Sequence, residues 1–385
     1  MKSNYEPLGK HIRLVDYRNS EEVTSTVLGI SIDKEFMPSV ANVIGTDLSR
    51  YKLISKGLFA CNPMHVGRDE RLPIALYEKD NAAIVSPAYF IFEIIDRDVL
   101  NEEYLMMWFR RPEFDRECWF MTDGSVRGGI TWDDLCRIKL PVPSYARQCK
   151  IVESYRAITD RIALKRAEND NLANTEQAIL VETIGKNQTM PTTLGELVDF
   201  IDGDRGKNYP TFDEFTSAGY CLFLNASNVT STGFSFDACM FVTEEKDKSM
   251  NKGHLSLNDI VLTSRGTLGN VALYDKHIGF ENVRINSGML IIRPKTKRLS
   301  PHFIYALLKS SYMKAAIERF KSGSAQPQLP IKDLQKIVFE IPESDAVLAS
   351  LDCQFLFIEE QISINNKEID KLKELGSIFL AELSR

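Results

Sequence analysis

Few residues in this sequence have the types and spacing that covalent chemistry requires. The run Gly203-Asp204-Arg205-Gly206-Lys207 lacks both the spacing and the Ser/Thr of a GxxxxGK[ST] phosphate loop, and no GxGxxG opens a helix. Asn62-Pro63-Met64-His65 lacks the second proline and the aromatic ring of an Asn-Pro-Pro-aromatic loop, whose ring stacks on a nucleobase turned out of its duplex. The five histidines, His11, His65, His254, His277 and His302, form no i, i+4 pair, so a helical metal site is not expected. Asp237, Glu244 and Lys246 have the Asp...Glu-x-Lys form of a metal-dependent nuclease, but a solvated turn is the simpler reading of the charged run that holds them. The seven cysteines include no CxxC, which excludes a zinc ribbon and a thioredoxin-like redox motif. Their odd number points to reduced thiols and a cytoplasmic compartment.

What remains is binding chemistry. Residues 252–298 carry eight Lys/Arg against three acids, whereas residues 199–251 carry four against nine. The chain is therefore electrically polarised within one stretch. A basic patch neutralises phosphates, while a few Arg, Asn and Gln side chains read base edges. The candidate DNA-binding residues are Arg205, Asn225, Asn228, Arg265, Arg284, Gln326 and Gln328, with Arg68, Arg71 and Arg127 earlier in the chain.

The elements that must carry these residues are duplicated. Residues 100–143 align without a gap to residues 299–342, an offset of 199, with identities that include Leu100/Leu299, Gly124/Gly323, Ser125/Ser324, Asp134/Asp333, Leu135/Leu334 and Pro143/Pro342. In each copy an amphipathic helix leads to a Gly-Ser turn, then an Asp-Leu turn, then a strand ending in proline. Upstream, residues 85–92 match residues 285–292 as paired apolar strands, and downstream Ile158/Ile358, Ile162/Ile362, Leu172/Leu372 and Leu180/Leu380 continue the match at an offset of 200. Each copy ends in a long helix. Heptad positions Ile151, Ile158, Ile162, Leu172 and Ile179 in the first helix and Leu351, Ile358, Ile362, Leu372 and Phe379 in the second form the seams expected of a short coiled coil, with polar Lys165 and Asn365 at one level; two surface helices packing on separate domains are the plainer alternative. No proline or glycine interrupts residues 151–184, which makes a rod of roughly 50 Å.

The 385 residues, 44% hydrophobic and 26% charged, suffice for two or three cores. A net charge of −6 and a pI of 5.6 exclude a globally basic coat but not a local basic groove. The polar first ten residues lack a signal peptide's apolar stretch, and charge interrupts every long apolar run, so no membrane span is expected.

The duplicated run from Gly124-Ser125 to Leu140-Pro141-Val142-Pro143, its counterpart from Gly323-Ser324 through Asp333-Leu334 to Pro342, and the helix after each resemble the specificity subunit of type I restriction-modification systems. Arg265-Gly266-Thr267-Leu268-Gly269 and Ser86-Pro87-Ala88-Tyr89 are similar to recognition-domain segments of that family. The resemblance implies a mixed α/β (α+β) fold of two pseudo-repeated target-recognition domains, residues 1–143 and 187–342, joined by two antiparallel coiled-coil helices, residues 144–186 and 343–385. It implies a non-catalytic subunit in which each domain reads one half of a bipartite, asymmetric site in double-stranded DNA. The helices would set the spacing, about 50 Å against the ~34 Å of one DNA turn, and dock two modification (methyltransferase) subunits. No cofactor is implied in this chain; S-adenosylmethionine and ATP would sit in the modification and the restriction (motor and nuclease) subunits. The family's Glu-Gln at the helix start is reduced here to Gln148, and residues 345–347 keep neither residue. The alternative, from another class, is a non-enzymatic coiled-coil adaptor for protein or glycan ligands.

Overall fold

A computed structural model of the chain describes residues 5–39, 45–64, 66–122, 128–320 and 328–383. The chain folds as two compact units, one of residues 1–164 with 369–385 and one of residues 165–368, so each takes a part of both long helices. The regular elements of the first run β1 (Tyr5–Pro7), β2 (Ile12–Val15), β3 (Leu28–Ile30), β4 (Phe36–Pro38), β5 (Lys52–Ile54), β6 (Phe59–Cys61), α1 (Val66–Asp69), β7 (Ile74–Leu76), β8 (Ala83–Val85), β9 (Phe90–Ile94), α2 (Glu102–Phe109), α3 (Pro112–Phe120), α4 (Trp132–Arg137), β10 (Lys139–Pro141) and α5 (Tyr145–Lys186). There follow β11 (Thr189–Thr193), α6 (Leu194–Leu197), β12 (Val198–Asp202), β13 (Cys221–Leu224), β14 (Val229–Thr230), β15 (Gly233–Phe234), β16 (Phe241–Val242), α7 (Glu244–Ser249), β17 (Ile260–Thr263), β18 (Val271–Leu273), β19 (Val283–Ile285), β20 (Met289–Pro294), α8 (Pro301–Lys309), α9 (Ser311–Phe320), α10 (Ile331–Leu334), β21 (Val338–Pro342) and α11 (Asp345–Glu382).

The repeat is a repeat of structure. An antiparallel four-stranded sheet of order β2-β9-β6-β7 recurs as β12-β20-β17-β18, and the pair β1-β10 recurs as β11-β21. The aligned positions fall on the same elements. Leu100 and Leu299, both buried, precede helices capped by Asn101, which accepts from the Glu103 and Tyr104 amides at 3.0 Å, and by Ser300, which accepts from the Phe303 amide at 3.0 Å. Each sheet carries apolar cores on both faces: Phe59, Phe92, Phe109 and Phe114 on one and Ala60, Ala75 and Ile91 on the other in the first unit, Ile260, Ile292, Phe303 and Leu307 on one and Val261, Ala272 and Ile291 on the other in the second. Away from this shared frame the copies diverge. The first unit adds the hairpin β3-β4 and the antiparallel pair β5-β8, whereas in the second β13 lies between antiparallel β16 and parallel β19.

Within each unit the long helices pair with opposite sense: partner numbers fall as the first set rises, from Lys165 with Glu368 to Lys309-bridged Glu176 with Glu359. Ile158, Leu351 and Ile358 are buried, and Ile151, Ile162, Leu172, Ile179, Ile362, Leu372 and Phe379 are half-buried. In the first unit Tyr155 packs on Phe379 with ring centroids 6.1 Å apart. In the second the apolar seam is broken by a polar layer. Lys165 Nζ donates to Asn365 Oδ1 at 2.8 Å, Asn365 donates to Asn169 at 2.8 Å, and Asn169 donates to Asn366 at 2.9 Å. Such a layer sets register at a cost in stability. Replacing Lys165 and Asn365 together by leucine should therefore raise stability by about 1–4 kcal/mol while broadening the distribution of association states. A lower denaturation midpoint with a single sedimenting species would count against this.

The helix start has an internal use. Gln148, fully buried, accepts from the Asn101 amide at 2.9 Å and donates to the Val99 and Pro143 carbonyls at 2.8 Å each. In the second copy Arg298, at the position equivalent to Val99, does this work by binding Asp345 at 2.8 Å and the Glu343 carbonyl at 2.8 Å.

Candidate nucleic-acid interface

In the second unit β12, β17 and β20 meet at one end of the sheet, where Asp202 pairs with Leu290 and Thr263 with Met289. The loops leaving that end gather on the turn at residues 286–288. Gly203 allows the closest approach, since a Cβ there would lie 2.2 Å from the Asn286 carbonyl oxygen. Asp204 fixes the next turn by accepting the Gly206 amide at 2.8 Å and the Asn251 amide at 2.7 Å, and these amides hold its carboxyl below the ordinary range. Exposed Arg205 then reaches Asp202 at 3.0 Å and the Ser287 carbonyl at 3.3 Å. The Arg265 amide donates to the Gly288 carbonyl at 3.1 Å, and Arg265 forms a bridge with exposed Gln328. The turn beyond Arg265 is tight: Gly269 has a φ of +83°, and a Cβ there would meet Ile317 at 2.7 Å.

Three candidates, Arg205, Arg265 and Gln328, thus share one sheet end. The half-buried Arg265 guanidinium has no hydrogen-bond or ion-pair partner among the described residues, which leaves its fork of donors open to a ligand. Exposed Lys207 stands on the same loop as Arg205 and was not among the sequence candidates; the signal for it was a charged turn directly after a strand.

The first unit has the same layout. At the corresponding sheet end Val15 pairs with Ile91 and Cys61 with Phe90. The loop between β6 and β7 carries Arg68, forked on Asp69 at 2.6 and 2.9 Å, and Arg71, 3.3 Å from Asp33. It leans on residues 128–130: the Gly67 amide donates to the Gly128 carbonyl at 3.0 Å and the Ile130 amide to the Pro63 carbonyl at 3.1 Å. Asn62 is occupied in that loop by accepting the Met64 amide at 3.2 Å. Arg18, exposed on the loop after β2 and bonded to Asp16 and the Arg50 carbonyl, joins the same end and was also missed. Arg127 and Gln326, with Gly124-Ser125, Gly323-Ser324 and His65, lie outside the described residues.

Two candidates, Arg284 and Asn228, are corrected. Arg284, 4% exposed, is a structural residue: its Nε donates to Asp247 at 2.7 Å and its remaining nitrogens to the Lys252 and Asp247 carbonyls at 2.5 and 2.9 Å. Asn228, 1% exposed, holds the loop after β13 together by donating to the Ser235 and Ala238 carbonyls at 3.0 and 2.8 Å. Asn225 caps the same turn by accepting the Ser227 amide at 2.9 Å. Nor do Asp237, Glu244 and Lys246 form a solvated turn. Thr243 caps helix α7, in which Lys246 pairs with Glu214 at 2.8 Å and Glu244 with Lys248 at 2.6 Å, while Asp237 accepts from Ser235 at 3.0 Å. Among the described residues no three His, Cys, Asp or Glu side chains are grouped to hold a metal ion, and no helix is long and apolar enough to cross a membrane.

Two copies of a mixed α/β domain, each presenting cationic loops at the same sheet end and each followed by a long pairing helix, define a tandem-repeat protein. Residues 188–374 match the model of the type I restriction modification DNA specificity domain. The first unit repeats its sheet order. The whole chain is similar to the type I restriction-modification system S subunit from M. genitalium, with 17% identity, 99% of this chain and 96% of that chain covered, and a TM-score of 0.54. Chains from a study of complex assembly and conformational transition of the type I R-M system (18% identity, 99% and 97% covered, TM-score 0.44) and from the HsdS subunit of Thermoanaerobacter tengcongensis (17% identity, 99% and 96% covered, TM-score 0.36) are also similar. The sequence matches no curated protein. The fold is thus that of a type I specificity subunit.

Proposed function

We propose that this chain is the DNA-recognition subunit of a type I restriction-modification complex, without catalytic activity of its own. Each unit would read one half of a bipartite, asymmetric site in double-stranded DNA. The paired helices would space the units and dock two methyltransferase subunits, with restriction subunits joining them. S-adenosylmethionine and ATP belong to those partners in this reading, and the compartment is the cytoplasm, where the DNA is. The observation that carries it is the gathering of Arg205, Arg265 and Gln328 at one sheet end of the second unit, matched by Arg68 and Arg71 at the same end of the first. Side chains of these types pair with base edges, while neighbouring cations neutralise phosphates.

Selection of duplexes from a random pool by the full chain, alone and with its modification subunits, tests this. A split consensus should emerge, with affinity that falls steeply as salt rises. Arg265→Ala should weaken binding to the selected duplex by about 1–3 kcal/mol, the worth of one base-edge contact, and relax preference in one half-site only. No preference among duplexes at any salt concentration would sink the reading.

A further inference from the structure

Lys309, at the end of α8, inserts between the two long helices' acidic side chains. Its Nζ lies 2.7 Å from Glu176 of α5 and also pairs with Glu359 of α11; the three side chains are 19%, 0% and 10% exposed. The ammonium sits 4.3 Å from the centre of the Tyr305 ring, and Gln177 donates to the Ala306 carbonyl at 3.0 Å beside it. Two buried carboxylates and one ammonium leave a negative charge without compensation, and an isolated charge is costly to keep out of water. Oε1 of Glu176 is buried with no hydrogen-bond donor facing it, which is costly for an ionised carboxylate.

We infer that Glu176, buried beside Glu359 over Lys309, holds a proton, and that the seating of α8 on α5 and α11 is therefore proton-linked. The surrounding charge favours this. Tyr305, Lys309 and His302 face the site from α8, Glu359, Glu360 and Asp352 from α11, and Asp275 from the segment after β18. Glu360 is neutralised by Lys276 at 2.5 Å, and Asp352 lies 3.8 Å from His302. Burial pushes the Glu176 carboxyl up; Lys309 pulls it back and Glu359 raises it further, to about 8. Lys309, which burial alone would lower, is held above the ordinary lysine range by Tyr305, Glu359 and Glu176. Below the ordinary carboxylate range both the folded and the unfolded chain carry this proton. Between that range and about pH 8 only the folded chain does, so stability falls as pH rises through this window. His302, lowered by burial, acts in the opposite direction.

The device exists in one copy alone. The equivalent positions in the first unit are Arg110, Thr159 and Gly376, so the two units differ in what a change of pH does to them. The inference involves no ligand and stands apart from the DNA reading.

Hydrogen exchange of the full chain, followed over residues 172–184 and 301–309 and corrected for intrinsic rates, tests it. Protection should fall by up to about tenfold per pH unit between pH ~6 and ~8; both Glu176→Gln and Glu359→Gln should flatten that slope, whereas His302→Gln, which removes the opposing contribution, should leave it at least as steep. An unchanged slope in Glu176→Gln overturns the inference. Should the variants not fold, carboxyl-carbon NMR of the wild-type chain decides: one glutamate titrating far above the others supports it, and every glutamate titrating in the ordinary range overturns it.

Discussion

Arg284→Met is expected to cost the second unit about 3–5 kcal/mol, the penalty for leaving a buried partner charge alone, with little loss of duplex affinity per folded molecule. The partner left behind is Asp247, whose side chain is 9% exposed and whose Oδ1 takes the Arg284 Nε at 2.7 Å. The same guanidinium also ties the carbonyls of Lys252 and Asp247, so the end of helix α7 and the chain beyond it are pinned to strand β19 through one side chain. Methionine keeps the bulk and removes every donor. A urea midpoint measured with and without a second change, Asp247→Leu, separates charge from packing. The single variant should be the weaker, and the double should recover part of the loss because the uncompensated carboxylate has gone. A single variant with an unchanged midpoint and a loss of DNA affinity would return Arg284 to the role of a base reader.

That residue also shows what the amino-acid order reveals and what it does not. In Val283-Arg284-Ile285 the apolar residues alternate with a charge, and a strand with one wet face gives the same pattern. Strand β19 has no wet face at Arg284, because helix α7 covers it from a distance of some forty residues along the chain. Only the third dimension supplies that cover. By contrast, the shared frame was legible because its signals are local and doubled. The buried leucine before each capped helix and the proline-ended strand each depend on neighbours a few residues away, and they recur at one offset; the Asp-Leu pair recurs with them but lies in a short helix, α4 and α10, where the sequence suggested a turn. The level of Lys165 and Asn365 was legible for the same reason, since a heptad is a local count. The segments between β2 and β6 and between β12 and β17 carry no such doubled signal. They fold into different small sheets in the two units, and the partners of Asn228 and Arg284 lie in those divergent parts. What a recognition loop touches was readable only as residue type. That Arg205, Arg265 and Gln328 meet follows from strand order and register, which bring three loops and a bridge to one sheet end.

Lys34→Met should be equally costly to the first unit, about 3–5 kcal/mol by the same argument of an abandoned buried charge. Lys34 stands in the turn between β3 and β4 with a φ of 65°, a conformation a lysine adopts at a cost, and its side chain is only 5% exposed. Its ammonium is 2.6 Å from the Phe109 carbonyl, at the carboxyl end of α2, and 2.6 Å from Asp115 in the first turn of α3. A cation there meets the negative end of one helix and the carboxylate of the next. Burial draws the Lys34 amine below the ordinary lysine range, and Asp115 restrains that shift. Asp115 in turn accepts the Leu72 amide at 3.0 Å, so one ion pair ties the hairpin, two helices and the end of the loop that bears Arg68 and Arg71. The neighbouring Asp33 reaches Arg71 at 3.3 Å from the same hairpin. Loss of the lysine should therefore appear twice: as a lower denaturation midpoint, and as faster hydrogen exchange over residues 66–73 even under native conditions. Lys34→Met combined with Asp115→Asn keeps an acceptor for the Leu72 amide and removes the stranded charge, so it should recover part of both losses. A Lys34→Met midpoint within about 1 kcal/mol of wild type, with exchange over residues 66–73 unchanged, would mean that the pair does not hold the loop that bears Arg68 and Arg71.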